Sequence, residues 1–172
     1  MTIRYTPIGT IHSPYTTLAG MPIQPAGAAG VMGTVVLSPA YAAGLKDLEG
    51  FSHLILLYHL HKSRGCQLEV VPFLDTVSHG IFATRSPARP NPIGLSIVRL
   101  REVNGNLLLI ENVDILDGTP LIDIKPFVPA FDLPEPLAAA RAGWFDSASR
   151  TVVGTRADGR FVDSDGPDVR GE

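Results

Sequence analysis

The chain predicts an all-β protein, a small antiparallel β-barrel with one or two short helices, and three observations carry that expectation. Strand-like runs are short and frequent, at 4–12, 31–37, 51–61, 67–73, 80–84, 93–103, 107–116 and 121–127, with turn residues between them. Asn104-Gly105 sits between two β-rich runs as a strong two-residue hairpin signal. Only one stretch carries full helix punctuation, with Ser38 as N-cap, Pro39 at the first helical position and Gly50 as the stop. At 172 residues and 45% hydrophobic content, the chain is long enough for one domain with a substantial core.

Taken in order, the runs at 4–12 and 31–37 flank a glycine-rich segment, residues 27–33. That segment precedes a strand instead of joining a strand to a helix, and no Gly-Lys-Ser/Thr follows, so it reads as a loop and not as a phosphate cradle. After the helix at 39–50, the strand at 51–61 aims His59 and His61 to one side. No third ligand stands at a diagnostic spacing, so no metal is expected. Cys66 is the single cysteine, which excludes an internal disulfide and a thiolate zinc site and leaves a small buried hydrophobe.

Residues 79–94 are unlike an ordinary loop. Pro87, Pro90 and Pro92 each fix φ and push the preceding residue towards extended geometry, so Arg85 and Arg89 are held on a stiff frame. Guanidinium groups fixed in advance bind anions at low entropic cost, although prolines serving stability alone would give the same composition.

Beyond that loop, an Asn104-Gly105 turn without a bulge sets Val103 against Asn106, Leu95 against Asp114, Ile93 against Leu116 and Asn91 level with Gly118. The proline-arginine loop and the segment Asp117-Gly118-Thr119-Pro120 then meet at one end of the hairpin. Asp is disfavoured in strands, so Asp114, Asp117 and Asp123 imply turns, hydrogen bonds or a ligand, unless they simply face solvent. A second short helix is expected at 135–142, ahead of Trp144, and a small hairpin at 151–155 and 160–163 around Asp158-Gly159. Residues 1–146 then make the barrel domain and 147–172 a polar, partly loose C-terminal extension.

Composition narrows the function classes. A net charge of −3 argues against a surface coated with positive potential, yet Arg85, Arg89, Arg99, Arg101 and Lys125 fall in the same third of the chain and leave room for one basic patch. No apolar run approaches the roughly 20 residues that cross a bilayer, and the N-terminus lacks a signal pattern, so a soluble cytoplasmic protein is expected, with no membrane partner.

The motifs Ile8-Gly9-Thr10-Ile11-His12-Ser13-Pro14-Tyr15, Gly50-Phe51-Ser52-His53-Leu54, Phe82-Ala83-Thr84-Arg85-Ser86-Pro87, Arg89-Pro90-Asn91-Pro92-Ile93-Gly94-Leu95-Ser96, Asp117-Gly118-Thr119-Pro120 and Asp123-Ile124-Lys125-Pro126 together resemble the TsaA-like (TrmO) family. The resemblance implies a non-Rossmann β-barrel that binds S-adenosyl-L-methionine, pairs as a homodimer and methylates N6 of a threonylcarbamoylated adenosine beside the tRNA anticodon. It implies cofactor contacts at Pro22, Ile23, Gln24, His61, Lys62, Arg85, Leu95, Asp114, Asp117, Gly118 and Thr119. Arg89 and Lys125 are candidates for the RNA substrate, each equally explained as a solubilising charge, and Asn91 and Asp117 are candidates for the chemistry. The chain departs from the family pattern at Ile23, where Arg is usual, at Ala88, where a bulkier residue is usual, and at Phe127, where Tyr commonly follows Lys-Pro. It is also expected to lack the additional C-terminal domain of longer members. Two other functions fit the same residues, a methyltransferase for another acceptor and a non-catalytic sensor of S-adenosylmethionine.

Overall fold

The structure, a computed structural model, describes residues 2–148 and 153–158, with residues 147 and 148 as backbone only. Six antiparallel strands close into a barrel: β1 (Gly9–His12), β2 (Met32–Leu37), β3 (His53–His59), β6 (Ile93–Asn104), β7 (Leu107–Glu111) and β8 (Thr119–Pro126). Their order around the barrel is β1-β2-β7-β6-β3-β8, and β8 pairs back onto β1. A separate two-stranded ladder joins β4 (Glu69–Val70) to β5 (His79–Gly80). The all-β barrel expected from the sequence is therefore the architecture found. Among the described residues the only α-helices are two single turns, α1 (Pro129–Asp132) and α2 (Phe145–Ala148).

Strand alternation builds the core. On β3, Leu54, Leu56 and Tyr58 point inward; on β7, Leu108 and Ile110 do the same, and Ile11, Val35, Val98 and Leu121 complete the interior from the other strands. Each such aliphatic side chain removed from water contributes roughly 1.5–3 kcal/mol. Gly94 and Ser96 occupy inward positions of β6, where the alternation would ordinarily place large apolar groups. The reason for Gly94 is steric: a Cβ there would lie 2.1 Å from the Tyr58 ring, so only glycine lets that ring cross the paired strand.

Several elements differ from the sequence expectation, each for a local reason. The helix expected at 39–50 is instead two 3-10 segments, Pro39–Leu45 and Leu48–Gly50, broken by Asp47 at φ 67, and Ser38 makes no side-chain cap. The residues of this stretch that turn away from water are Ala42, Leu45 and Leu48, and that spacing of three is the 3-10 period. The strand expected at 80–84 stops at Gly80 and continues as the 3-10 turn Ile81–Ala83. There the Ile81 carbonyl accepts from Thr84 Oγ1 and from Arg89 Nη1, taking the acceptor a ladder would need. The helix expected at 135–142 is one 3-10 turn, Leu137–Ala139.

The β6–β7 hairpin also closes differently. Asn104 pairs with Leu107, so the loop residues are Gly105 and Asn106, and a bulge between Leu100 and Glu102 shifts the register back by one residue, which leaves Arg99 opposite Glu111. Asn106 sets this turn, because its side chain donates to the Leu37 carbonyl and its own carbonyl accepts from the Leu37 N–H. The strand expected to reach 116 ends at Glu111, as Asn112 adopts φ 67 and its side chain accepts from Gly30 N–H. Leu95 therefore does not face Asp114 across a ladder, and the pairs proposed for Ile93 and Asn91 are absent from it. The hairpin expected at 151–155 and 160–163 falls largely outside the described residues. Arg156, from the predicted C-terminal extension, forms a bridge with Pro22, and Ala157 exchanges backbone hydrogen bonds with Gly20 and Met21.

Candidate functional site

A cavity of about 390 Å³ lies where the proline-arginine loop, the segment 18–24 and the end of the barrel meet, and a smaller chamber of about 80 Å³ adjoins it. The two share Leu18, Met21, Tyr58, Leu60, Pro87 and Asp114, so they form one cleft with a constriction. The larger volume falls in the range that holds a small organic ligand or cofactor.

The residues that give this cleft its polarity come from distant parts of the chain. Arg85 Nη1 donates to Gln24 Oε1 at 2.8 Å, which ties the proline-arginine loop to the segment Pro22-Ile23-Gln24 on the opposite wall. Below them lies a buried chain of hydroxyls. Ser96 Oγ donates to Asp114 Oδ1 at 2.6 Å and lies 2.9 Å from Tyr58 Oη. The serine hydroxyl has one proton and gives it to Asp114, so the Tyr58 phenol is the donor to Ser96. Burial, and then the neighbouring Asp114 charge, push the phenol well above its ordinary pKa and keep it a donor. Burial likewise pushes the Asp114 carboxyl up to about 6, opposed by the Ser96 bond and by the charge of Arg85. Asn112 accounts for the placement of Asp114: its left-handed backbone ends β7 and turns the following residues under the cleft.

The smaller chamber carries His61, Lys62 and Thr119. Burial, followed by the charges of Lys62 and His59, lowers the His61 pKa, so the ring is neutral at physiological pH. Its Nδ1 lies 3.4 Å from Thr119 Oγ1, whose proton goes to the Leu116 carbonyl.

One wall of the large cavity is aromatic. Trp144 stacks on His79 at 4.5 Å and on Phe145 at 3.8 Å, and its Nε1 donates to the Ala83 carbonyl at 2.8 Å. His79 is in turn held by Asp75 at 2.9 Å. Trp144, Phe145 and Ala157 all line the cavity, so the segment following the barrel contributes to its wall.

Of the residues picked from the sequence, Pro22, Ile23, Gln24, Arg85, Arg89, Leu95 and Asp114 line the large cavity, and His61, Lys62, Thr119 and Asp114 line the small one. Asp117, Gly118, Asn91 and Lys125 line neither. Asp117 sits on the other side of its turn, where its Oδ1 accepts from Ser13 N–H at 3.2 Å and meets His12 Nδ1 at 3.0 Å. Lys125 pairs with Asp123 at 2.7 Å on the outside of β8. Ala88 is buried in a satellite cluster with Val70 and Ile81, where a bulkier side chain has no room without repacking. Tyr58, Ser96, Phe73 and Trp144 are site residues that pattern reading missed. A signal existed for Ser96, since a hydroxyl on an inward position of an otherwise apolar strand face requires a partner. Among the described residues no group of three or more His, Cys, Asp or Glu is placed to hold a metal.

Comparison with known proteins gives concordant results. The family model of the tRNA-methyltransferase O N-terminal domain matches residues 10–133. A probable S-adenosyl-L-methionine-binding protein of Pyrococcus abyssi is 52% identical over 159 residues, covering 92% of this chain and 85% of that one. The tRNA (adenine(37)-N6)-methyltransferase of Escherichia coli is 38% identical, covering 82% of this chain and 63% of the enzyme. The crystal structure of TrmO from Pseudomonas aeruginosa superposes with a TM-score of 0.68 at 38% identity, covering 84% of this chain and 63% of that one. The chain thus spans less than two thirds of the methyltransferases it matches.

Proposed function

The chain belongs to the tRNA-methyltransferase O N-terminal domain family, and from that premise we propose that it transfers the methyl group of S-adenosylmethionine to N6 of adenosine 37 in tRNA, with threonylcarbamoylated adenosine as the acceptor. The observation that carries this reading is the cleft itself, which sets an arginine, a buried carboxylate and apolar walls around one volume of suitable size. The fit is chemical: burial raises the carboxyl of Asp114, and among the described residues no salt bridge holds it, so the floor of the cleft is matched to a cationic ligand.

When bound, the sulfonium would supply an electrophilic methyl group, transfer forming an N–C bond as the C–S bond breaks, with the electron pair going to sulfur and the displaced N6 proton to solvent. The work of the protein in such a displacement is alignment. Arg85, braced by Gln24, offers a fixed guanidinium to a carboxylate. Asp114, held by Ser96 and through it by Tyr58, offers the anionic group. Leu18, Met21, Phe73 and Leu95 exclude water around the ligand. Arg89 is the basic residue of the same cavity that supports contact with the RNA. We also infer a cytoplasmic homodimer, and no helix among the described residues is long and apolar enough to cross a membrane. Ile93, Leu95 and Ile97 are 42%, 50% and 37% exposed on the outer face of β6, where Ile97 and Leu95 pair with Ile55 and Leu57 of β3, and this stripe continues to the cavity rim. Light scattering at the mass of one chain would exclude that dimer.

The test is incubation of the purified chain with methyl-labelled cofactor and tRNA that carries or lacks the threonylcarbamoyl group. Label entering only the modified tRNA is the expected result; no transfer to either, with cofactor bound, establishes the second reading, a binding protein without transfer. That reading is favoured by the Pyrococcus relative, whose name records binding alone. Replacing Arg85 with Ala should weaken cofactor binding at least tenfold, on the order of 1.4 kcal/mol, by calorimetry. Unchanged affinity would remove Arg85 from the site.

A further inference from the structure

Phe82 is a large aromatic residue left 77% exposed, two residues before Thr84 of the cavity lining. It is not on a loose loop. It lies in the 3-10 turn Ile81–Ala83, whose first residue is buried, and three other groups pin that turn. Arg89 Nη1 donates to the Ile81 carbonyl at 3.1 Å and to the Thr84 carbonyl at 2.8 Å, and Thr84 Oγ1 donates to the same Ile81 carbonyl. Trp144 Nε1 donates to the Ala83 carbonyl, linking the turn to the stack of His79, Trp144 and Phe145. The Arg89 guanidinium also lies 5.9 Å from the centre of the Phe82 ring. Thr84, Arg85 and Arg89, two, three and seven residues further along the chain, line the large cavity.

An exposed phenyl ring on a rigid turn gains nothing for folding, because its apolar face remains in water. It is, however, what an unpaired nucleobase requires: a flat π-surface ordered before binding, with a guanidinium beside it to favour an anionic strand. We propose that Phe82 is a stacking platform for an unpaired base next to the methylated adenosine, so that the cleft takes one nucleotide and the ring holds its neighbour. This rests on the tRNA reading given above and adds to it a contact outside the cleft.

The experiment measures binding of a fluorescently labelled anticodon stem-loop RNA to the full chain carrying F82A, F82L or F82W. Thermal midpoints and cofactor affinity serve as controls, since the ring is exposed and does not line the cavity. The expected result is a loss of RNA affinity of at least tenfold for F82A and F82L, with F82W restoring it. The slope of affinity against salt should stay that of the wild type, because no phosphate contact is removed. Unchanged affinity of F82A overturns the proposal. So does wild-type behaviour of F82L, which would make the contact merely apolar, and so does a change in oligomeric state, which would assign the ring to a contact between copies. If the wild-type chain binds no RNA at all, the tRNA reading itself fails, a result distinct from any of these.

Discussion

Asp114 and Asp117 stand three residues apart on one segment and occupy opposite chemical settings. Asp114 lies in the floor of the cleft, accepts from a buried serine and has its pKa pushed up to about 6 by burial. Asp117 lies on a surface turn, where the Ser13 N–H and then the His12 ring hold its carboxyl below the usual range. A backbone N–H and an imidazole hold the second carboxylate at the surface; a buried hydroxyl holds the first, largely out of water. The difference teaches where this fold stores unfavourable electrostatics, and stored cost of that kind marks a place reserved for a ligand more reliably than a carboxylate count does.

Three substitutions test that contrast. The largest effect is expected from Gly94→Ala, which touches neither carboxylate. Its Cβ would meet Tyr58 at 2.1 Å and displace the phenol that donates to Ser96, so overpacking should cost roughly 1–3 kcal/mol in chemical denaturation. A variant of wild-type stability would show that the Tyr58–Ser96–Asp114 chain does not depend on the close approach at Gly94.

Asp114→Asn comes next and should act in two directions. Folded Asp114 has its pKa near 6, against 3.8 for a free carboxyl. Between those values the folded chain holds a proton that the unfolded chain has released, so wild-type stability falls as pH rises through this window and levels off above it. The amide, never charged, avoids that penalty. At pH 7 the variant should be more stable by about 1–2 kcal/mol, and the gain should vanish below about pH 4. The same variant should bind S-adenosylmethionine more weakly, and wild-type affinity should fall as the solution is acidified through pH 6. A stability gain independent of pH would show that Asp114 is not the buried acid described here.

Asp117→Asn should do least. Its oxygen can still accept from Ser13, and exposed pairs such as that with His12 contribute about 0.2–1 kcal/mol at most, so denaturation midpoint and cofactor affinity should both stay near wild type. A large loss of methyl transfer would move the chemistry to the Asp117 turn and reverse the contrast.

The legible part of the molecule was the part governed by local pattern. Alternating apolar residues with turn punctuation are enough to give β2, β3, β6 and β8, and the stiff frame of the Pro87–Pro92 region follows from proline stereochemistry alone. Motif resemblance extended this to part of the cavity lining, including Gln24, Arg85 and Asp114. What pattern could not supply is long-range competition for hydrogen bonds. Asn106 grips Leu37 and Asn112 grips Gly30, and those two contacts move a hairpin loop by one residue and end a strand early. The expected facing of Leu95 and Asp114 failed for that reason, although both residues still reach the same cavity. Tyr58 escaped because a strand pattern registers it as one more large inward residue. Its role shows only once the neighbouring strand is seen to offer a glycine and a serine.

The backbone exchange of Ala157 with Gly20 and Met21 has a practical consequence for anyone trimming the gene. The match to the family model stops at residue 133, yet Trp144, Phe145 and Ala157 face the cavity. An expression clone cut at that boundary would keep every barrel strand and discard part of the cavity wall, so it should hold a guest less tightly than the full chain.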